Sequence, residues 1–381
     1  MNKELTRLLA NMGGNNRALN NLGEHVIEFL LKQSEQRDAT SFPYFAVGNG
    51  TLNLISQQLL PPTLRPLTAM RSSVIYDPDA TAPLFQKTLA DIFEDDPDMI
   101  SYVLRLFGYI LLGKPTKHVF FVFFGPTGRN GKSVLVEVMR AILGEYASTL
   151  PTTTIMTKSH VNDGATPTLA KLVHKRLVTV SEPNRKHQLD SGFIKQITGG
   201  EQVAARALYG ADIEYQPEFV PIMVTNVMPE VREDDDALWR RIQIVTFSRT
   251  FSDNEIDPDL KEKLLREKSG ILNLLLQGVA EYLRIGLQPP DKVLNAGKTQ
   301  RRLVDPIEEW LEECTLVEAS ARTPLKFLWA SYELWHKSNP RTRPLGKKEF
   351  SSKLAARGHS RFEKSHLPHF VGICLKESQD S

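Results

Sequence analysis

Lys132 and Ser133 stand directly behind Gly131 in the run VFFVFFGPTGRNGKSVLVEVMRAILG. A flexible ammonium beside a hydroxyl, set after a glycine-rich turn, is equipment for holding a polyphosphate. The lysine reaches the β- and γ-phosphates and the hydroxyl ligates Mg²⁺. Gly125, Gly128 and Gly131 let the loop amides, that of Asn130 included, turn inward around the anion, and a helix N-terminus adds a favourable dipole. The flanks supply the context such a loop needs. An apolar strand over Val119–Phe124 runs in, and an amphipathic helix ending near Gly144 runs out. Five residues separate Gly125 from Gly131, one more than in GxxxxGK[ST], so the amides that touch phosphate shift. A glycine-rich turn that binds nothing is the alternative, and the Gly-Lys-Ser order in this setting argues against it.

Phosphate binding alone performs no reaction; hydrolysis also needs an acid, a water-orienting group and a cation. The run RLVTVSE ends in Glu182, 50 residues after Lys132. A strand-end acid there can hold the Mg²⁺ hydration shell and polarise the attacking water. By itself such a glutamate also serves as a helix cap or a surface charge. PIMVTN ends in Asn226, whose amide can orient that water, or can simply build the turn before Val227-Met228-Pro229. Fourteen residues on, Trp239-Arg240-Arg241 precedes the run IQIVTF. Arg240 can act as a finger into a neighbouring subunit's nucleotide and neutralise transition-state charge. Both arginines could instead pair with Glu233 and Asp234–Asp236.

The surrounding elements must bring these groups together. Between about 115 and 290, the apolar runs Val119–Phe124, Leu177–Val180, Phe219–Thr225 and Ile242–Phe247 alternate with helical segments. This is an α/β pattern, and strands apolar on both faces are those of a buried parallel sheet. A helical stretch from Asp259 to Leu287 closes the unit, and Gln288-Pro289-Pro290 marks its end. Upstream, YFAVGNGTLNLISQQLLPPTLRP predicts short strands with a hairpin at Gly48-Asn49-Gly50. Residues 83–113 predict two helices parted by Glu94, Asp95, Asp96 and Asp98, and one or two weak helices are expected within 1–40. Three parts follow: 1–114 with small strands and a helical lead-in, 115–290 as the phosphate-binding motor, and 291–381 as a separate small unit.

Composition narrows the classes. The 381 residues leave room for two or three domains. With 47 basic and 45 acidic residues the net charge is +2, so any nucleic-acid contact must be local. Cys314 and Cys374 are too few for a disulfide framework or a thiolate zinc site and suit a reducing cytoplasm. No signal-peptide pattern opens the chain, and LRLFGYILLG and VFFVFF fall short of the roughly 18 residues of a membrane span. A secreted mini-protein, a membrane protein and a disordered chain are excluded, and a cytoplasmic location without membrane contact is expected. His359, His366, His369 and Cys374 lack the spacing of metal ligands.

Taken in order, GPTGRNGKS, RLVTVSE, IKQITGGEQVAARALYG, FVPIMVTN and ALWRRIQIVTF resemble the superfamily-three helicases, in the poxvirus and phage/plasmid primase–helicase branch. The segments YFAVGNGTLNLISQQLLPP and VIYDPDATAPLFQKTLADIF also look like that family's lead-in. The resemblance spans roughly residues 44 to 378. It implies an AAA+-type P-loop ATPase core that uses ATP and Mg²⁺, assembles as a ring, usually a hexamer, and translocates on single-stranded and forked DNA in replication. It matches Lys132 and Ser133 to the Walker A pair, Glu182 to the Walker B acid, Asn226 to sensor one, and Arg240 to the trans-acting finger. It further implies a channel hairpin between Glu182 and Asn226, with Lys195, Arg206 and Tyr209 as DNA-contact candidates. Arg206 could instead sense nucleotide or bridge subunits, and Tyr209 could be packed. No primase pattern precedes the motor, so a separate primase or polymerase is an expected partner.

At the C-terminal end, Leu325, Leu328, Trp329, Tyr332 and Trp335 follow helical spacing, as do Phe350 and Leu354 in a second helix over Lys347–Arg357. HFVGICLK, with Val371, Ile373 and Leu375 alternating, completes a pattern that resembles the family's winged-helix module. From Lys337 to Lys364 nine basic residues face two acidic ones, +7 locally, which suits a duplex backbone. Lys347, Lys348, Lys353 and Arg357 are the contacts expected there, although a basic helix can be merely solvated. Two other functions remain open at this level. One is a small-molecule kinase with the same loop, and the other an ATP-regulated DNA-binding initiator or adaptor that separates no strands.

Overall fold

The computed structural model describes residues 43–60, 70–157, 167–181, 188–206, 212–229, 231, 235–304, 306–339, 345–364 and 367–376; the weak helices expected within 1–40 lie outside them. Strands β1 (Tyr44–Val47) and β2 (Gly50–Asn53) form the expected hairpin, with Val47 opposite Gly50, and β3 (Gln58–Leu59) adds to its edge. Helices α1 (Pro83–Phe93) and α2 (Pro97–Leu112) follow. The acidic loop between them has structural work: the Asp96 carboxylate caps α2 by accepting the Asp98 and Met99 amides.

The centre is a five-stranded sheet built from β4 (Phe120–Phe124), β5 (Ala147–Leu150), β6 (Leu177–Val180), β9 (Val220–Thr225) and β10 (Ile242–Thr246). All pairings are parallel, and the order across the sheet is β10-β4-β9-β6-β5. A separate antiparallel hairpin, β7 (Val203–Arg206) and β8 (Asp212–Tyr215), interrupts the series. Side chains alternate across the sheet as pleating requires. Phe121 and Phe123 join a core with α1, α2 and the helices from Lys132–Leu143 (α3) and Lys268–Ile285 (α8), whereas Phe120 and Val122 join a second core on the opposite face. The edge strand β5 was not legible as an apolar run, because its sequence ASTL keeps only Leu150 buried.

Shorter helices complete this α/β unit: α4 (Pro167–Ala170), α5 (Ser191–Thr198), α6 (Asp236–Trp239) and α7 (Leu260–Arg266). After the proline pair, α9 (Asp291–Val304) packs along β10 and sets Ala296 against the second core. The prolines therefore turn the chain without ending its contact with the sheet. The last unit is α10 (Pro306–Cys314), β11 (Thr315–Leu316), β12 (Arg322–Pro324), α11 (Leu325–Ser338), α12 (Lys347–Ala356), β13 (Arg361–Lys364), β14 (Leu367–Val371) and β15 (Cys374–Leu375). Its core gathers Trp310, Leu328, Tyr332, Phe350 and Phe370. The alternation expected for HFVGICLK fails at Gly372, whose φ of +82° breaks the strand. Phe370 and Ile373 consequently point inward, and Val371 and Leu375 are half-buried.

Arg176 ties the N-terminal sheet to this α/β unit. Its guanidinium, 1% exposed, donates to the carbonyls of Leu111 at the end of α2 and Tyr44 in β1. It lies over the rings of Tyr146 at 4.5 Å and Phe45 at 5.3 Å. Burial pushes its pKa down to about 10, so it stays charged at neutral pH. Replacing it strands the buried Leu111 carbonyl, the half-buried Tyr44 carbonyl and two aromatic faces. Arg176→Ala is expected to cost about 3–5 kcal/mol of stability, with Arg176→Lys recovering part of it. Denaturant unfolding measures this, and a loss below about 1 kcal/mol would show that water replaces the guanidinium.

Candidate active site

The loop expected to hold phosphate leaves β4 at Phe124 and enters α3 at Lys132. Gly131 carries φ +82° as the α3 N-cap, and a Cβ there would stand 2.4 Å from Ile92 on α1, so only glycine suits the position. At Gly125 a Cβ would reach 2.2 Å from the Asn130 amide nitrogen and 2.7 Å from Lys132 Nζ. The additional loop residue is absorbed at Arg129, which adopts φ +60°. Its carbonyl accepts the Phe251 amide at 2.8 Å, its guanidinium pairs with Asp253, and Thr127 meets Thr250 hydroxyl to hydroxyl at 2.6 Å. The segment after β10 thereby cradles the loop from behind. Glu255 stiffens that segment: the Ser252 amide and hydroxyl and Arg249 hold its carboxyl down to about 2.

Lys132 is 4% exposed and its ammonium is satisfied from three directions. It donates to Gly125 O at 3.2 Å, Asn130 Oδ1 at 2.9 Å and Asn226 Oδ1 at 2.8 Å. Asn130 is itself held by donating to Thr127 O. Thr225 lies beside Phe124, which brings Asn226 to the strand end adjacent to the loop. A cleft of about 310 Å³ opens here, lined by Gly128, Lys132, Ser133, Thr179, Ser181 and Asn226. The Lys132 ammonium and the Ser133 hydroxyl therefore line the same cleft, groups whose chemistry suits a polyphosphate with Mg²⁺. Glu182 follows Ser181 at the end of β6 but lies outside the described residues. A second cavity of about 310 Å³ lies on the other side of the loop, lined by Leu84, Ile92, Val134, Phe251, Ile256 and Leu260. Arg129 borders both cavities.

Arg240 stands apart from this cluster. It is exposed at the end of α6, just before β10, and Ile242 is in register with Phe120 at the start of β4. The loop begins five strand residues further along, roughly 16 Å at about 3.3 Å per residue. Arg240 therefore lies at the far end of the sheet from its own Lys132.

The comparisons with known proteins were made against this geometry. Residues 123–241 match a family described as a family of unknown function, DUF5906. Putative helicase L207/L206 of Acanthamoeba polyphaga mimivirus is 28% identical over 265 residues, 65% of this chain and 28% of the relative. Putative helicase 022R of Frog virus 3 is 25% identical over 268 residues, 66% of this chain and 27% of the relative. Primase D5 of Fowlpox virus is 28% identical over 145 residues, 37% of this chain and 18% of that protein. The chain resembles viral helicases. It spans under a third of the length of these curated relatives. Among solved structures, the apo NrS-1 C-terminal region (305–718) shares the fold at TM-score 0.53 and 15% identity, covering 81% of this chain and 80% of its own. The family resemblance drawn from the motifs holds.

The DNA-contact candidates of this helicase-like chain fare unevenly. Lys195 is held by the Asp235 carboxylate at 2.9 Å, so its charge is already committed within the α/β unit. Lys353 is a second correction. It lies with Phe350 and Leu354 on the inward side of α12 and is 8% exposed. Arg357, half-buried, donates to the Lys353 carbonyl at 3.1 Å. Lys347 and Lys348 are exposed at the start of α12. Arg206, 64% exposed, faces Asp212 at 3.6 Å across the β7–β8 hairpin, and Tyr209 lies outside the described residues. Arg129 and Ser181 were missed in the sequence. The one signal for Arg129 was the additional residue in the loop.

Two substitutions separate binding from chemistry. Lys132→Ala is expected to abolish the nucleotide-induced rise in melting temperature and to lower hydrolysis by at least about 100-fold. Asn226→Ala should keep that rise while kcat falls about 10- to 100-fold. Full turnover by Lys132→Ala would disprove the cradle.

Proposed function

We propose that this protein is a Mg²⁺-dependent ATPase that assembles as a ring, expected to be hexameric, and moves along single-stranded DNA to open duplex. The replication of a phage, plasmid or related mobile element in the cytoplasm is its setting. The observation that carries the reading is the separation of Arg240 from Lys132 across the length of one sheet. A finger so far from its own cleft completes a site only when a second copy presents it, which is what an ATP-driven ring requires.

In this reading the polyphosphate enters the cleft beside Lys132 and Ser133, and the base enters the apolar cavity beyond Arg129. Two cavities joined at one residue, one polar and one apolar, suit a ligand with a charged and an aromatic half. Bound Mg²⁺ would supply charge neutralisation on the β- and γ-oxygens. Lys132 trades its three protein acceptors for phosphate oxygens, Asn226 is released to orient water, and Glu182 takes the proton from that water. The neighbour's Arg240 then stabilises charge on the transferred group. The order of helices, strand and β13–β14 hairpin in the last unit supports a winged-helix module of an AAA+-type motor, with Lys347 and Lys348 toward duplex phosphates.

Purified protein is expected to hydrolyse ATP faster with single-stranded DNA and to displace a strand from a forked duplex. Arg240→Ala should lose turnover, and mixing it with Lys132→Ala subunits should restore part of it. Normal turnover by Arg240→Ala alone would refute the finger. ATP-dependent assembly on DNA without strand displacement would favour an initiator or adaptor instead.

A further inference from the structure

Helix α6 is four residues long, too short to hold its own direction, so its neighbours must orient it. The Asp235 carboxylate accepts the Leu238 amide at 2.9 Å, the Ser191 hydroxyl, and Lys195 Nζ. The last two donors belong to α5. Burial disfavours the charged carboxylate, yet these donors outweigh it and hold the group below the usual carboxylate range. The Asp236 carboxylate accepts Arg301 of α9. The Asp236 carbonyl accepts the Arg240 amide at 3.1 Å and Arg240 Nε at 3.2 Å. Among the described residues, Trp239 Nε1, Arg241 Nε and Arg301 Nε are buried without an acceptor. Buried donors are normally satisfied, so this turn is less completely closed than the cores around it.

We propose that Asp235 and Asp236 are positioning residues which set Arg240 according to the positions of α5 and α9. Helix α5 leads through Gly199-Gly200 into the β7–β8 hairpin, and α9 leads into the C-terminal unit. A shift of the hairpin is passed through Lys195 and Ser191 to Asp235, and a shift of the C-terminal unit through Arg301 to Asp236. Both end at the same four-residue helix and its arginine. The device couples whatever those two units hold to hydrolysis in the adjacent subunit. This inference rests on Arg240 acting in trans.

Mixed assemblies of the full chain test it. Asp235→Asn, Lys195→Met and Arg301→Met are each expected to lower DNA-stimulated kcat at least about tenfold while KM for ATP moves less than about twofold. Asp235→Asn subunits retain a working cradle, and Lys132→Ala subunits retain a positioned arginine. Their mixture should regain turnover, whereas Asp235→Asn mixed with Arg240→Ala should not. A merely unfolded subunit would not be rescued, and Lys195→Met carries the same test if Asp235→Asn melts early. Wild-type kcat in these variants, or no recovery in the mixture by a variant of wild-type melting temperature, overturns the coupling. Normal turnover by Arg240→Ala alone would instead overturn the trans reading beneath it.

Discussion

The buried ammonium of Lys132 organises this protein. An unpaired charge in such a place is costly, so it must be met by acceptors from several elements at once. Gly125 at the end of β4, Asn130 in the loop and Asn226 at the end of β9 meet it. That requirement curls the loop, excludes a side chain at Gly125, and demands that the strand carrying Asn226 lie next to β4. In the proposed reading a polyphosphate offers the same ammonium stronger acceptors than these three.

The parallel sheet then gives the molecule two chemically different ends. Strand ends gather the loop, Asn226 and Ser181 at one, and α6 with Arg240 sits at the other. With β9 between β4 and β6, the end of β6 is two strand spacings from the loop, about 9.6 Å. The N-terminal sheet and α2 are locked to this frame by Arg176, and α1 closes against Gly131 through Ile92.

Much of the positive charge works inside the fold. Arg176 joins two units, Arg105 pairs with Glu281 at 3.1 Å, Arg249 with Glu255 at 2.7 Å, and Lys195 with Asp235. A count of basic residues along the chain therefore overstates the cationic surface. The basic stretch near the C-terminus illustrates it: Lys347 and Lys348 are exposed, while Lys353, one turn after Phe350 and beside Leu354, is buried.

The strands β4, β6, β9 and β10, the paired helices α1 and α2, and the Gly-Lys-Ser loop were legible in the residues, because each is a local pattern of apolar period or turn chemistry. The identity of Asn226 as a candidate was legible for the same reason, since it ends a strand. What no local pattern contains is adjacency. Only the folded chain decided that β9 separates β4 from β6, that Lys132 touches Asn226 across 94 residues, and that Arg240 lies at the far end of the sheet from Lys132. It also decided the fate of Lys195 and Lys353, whose charges looked available in sequence. Period and turn signals act within a few residues, whereas strand order, burial of a single cation and the pairing of distant charges are settled by packing the whole chain.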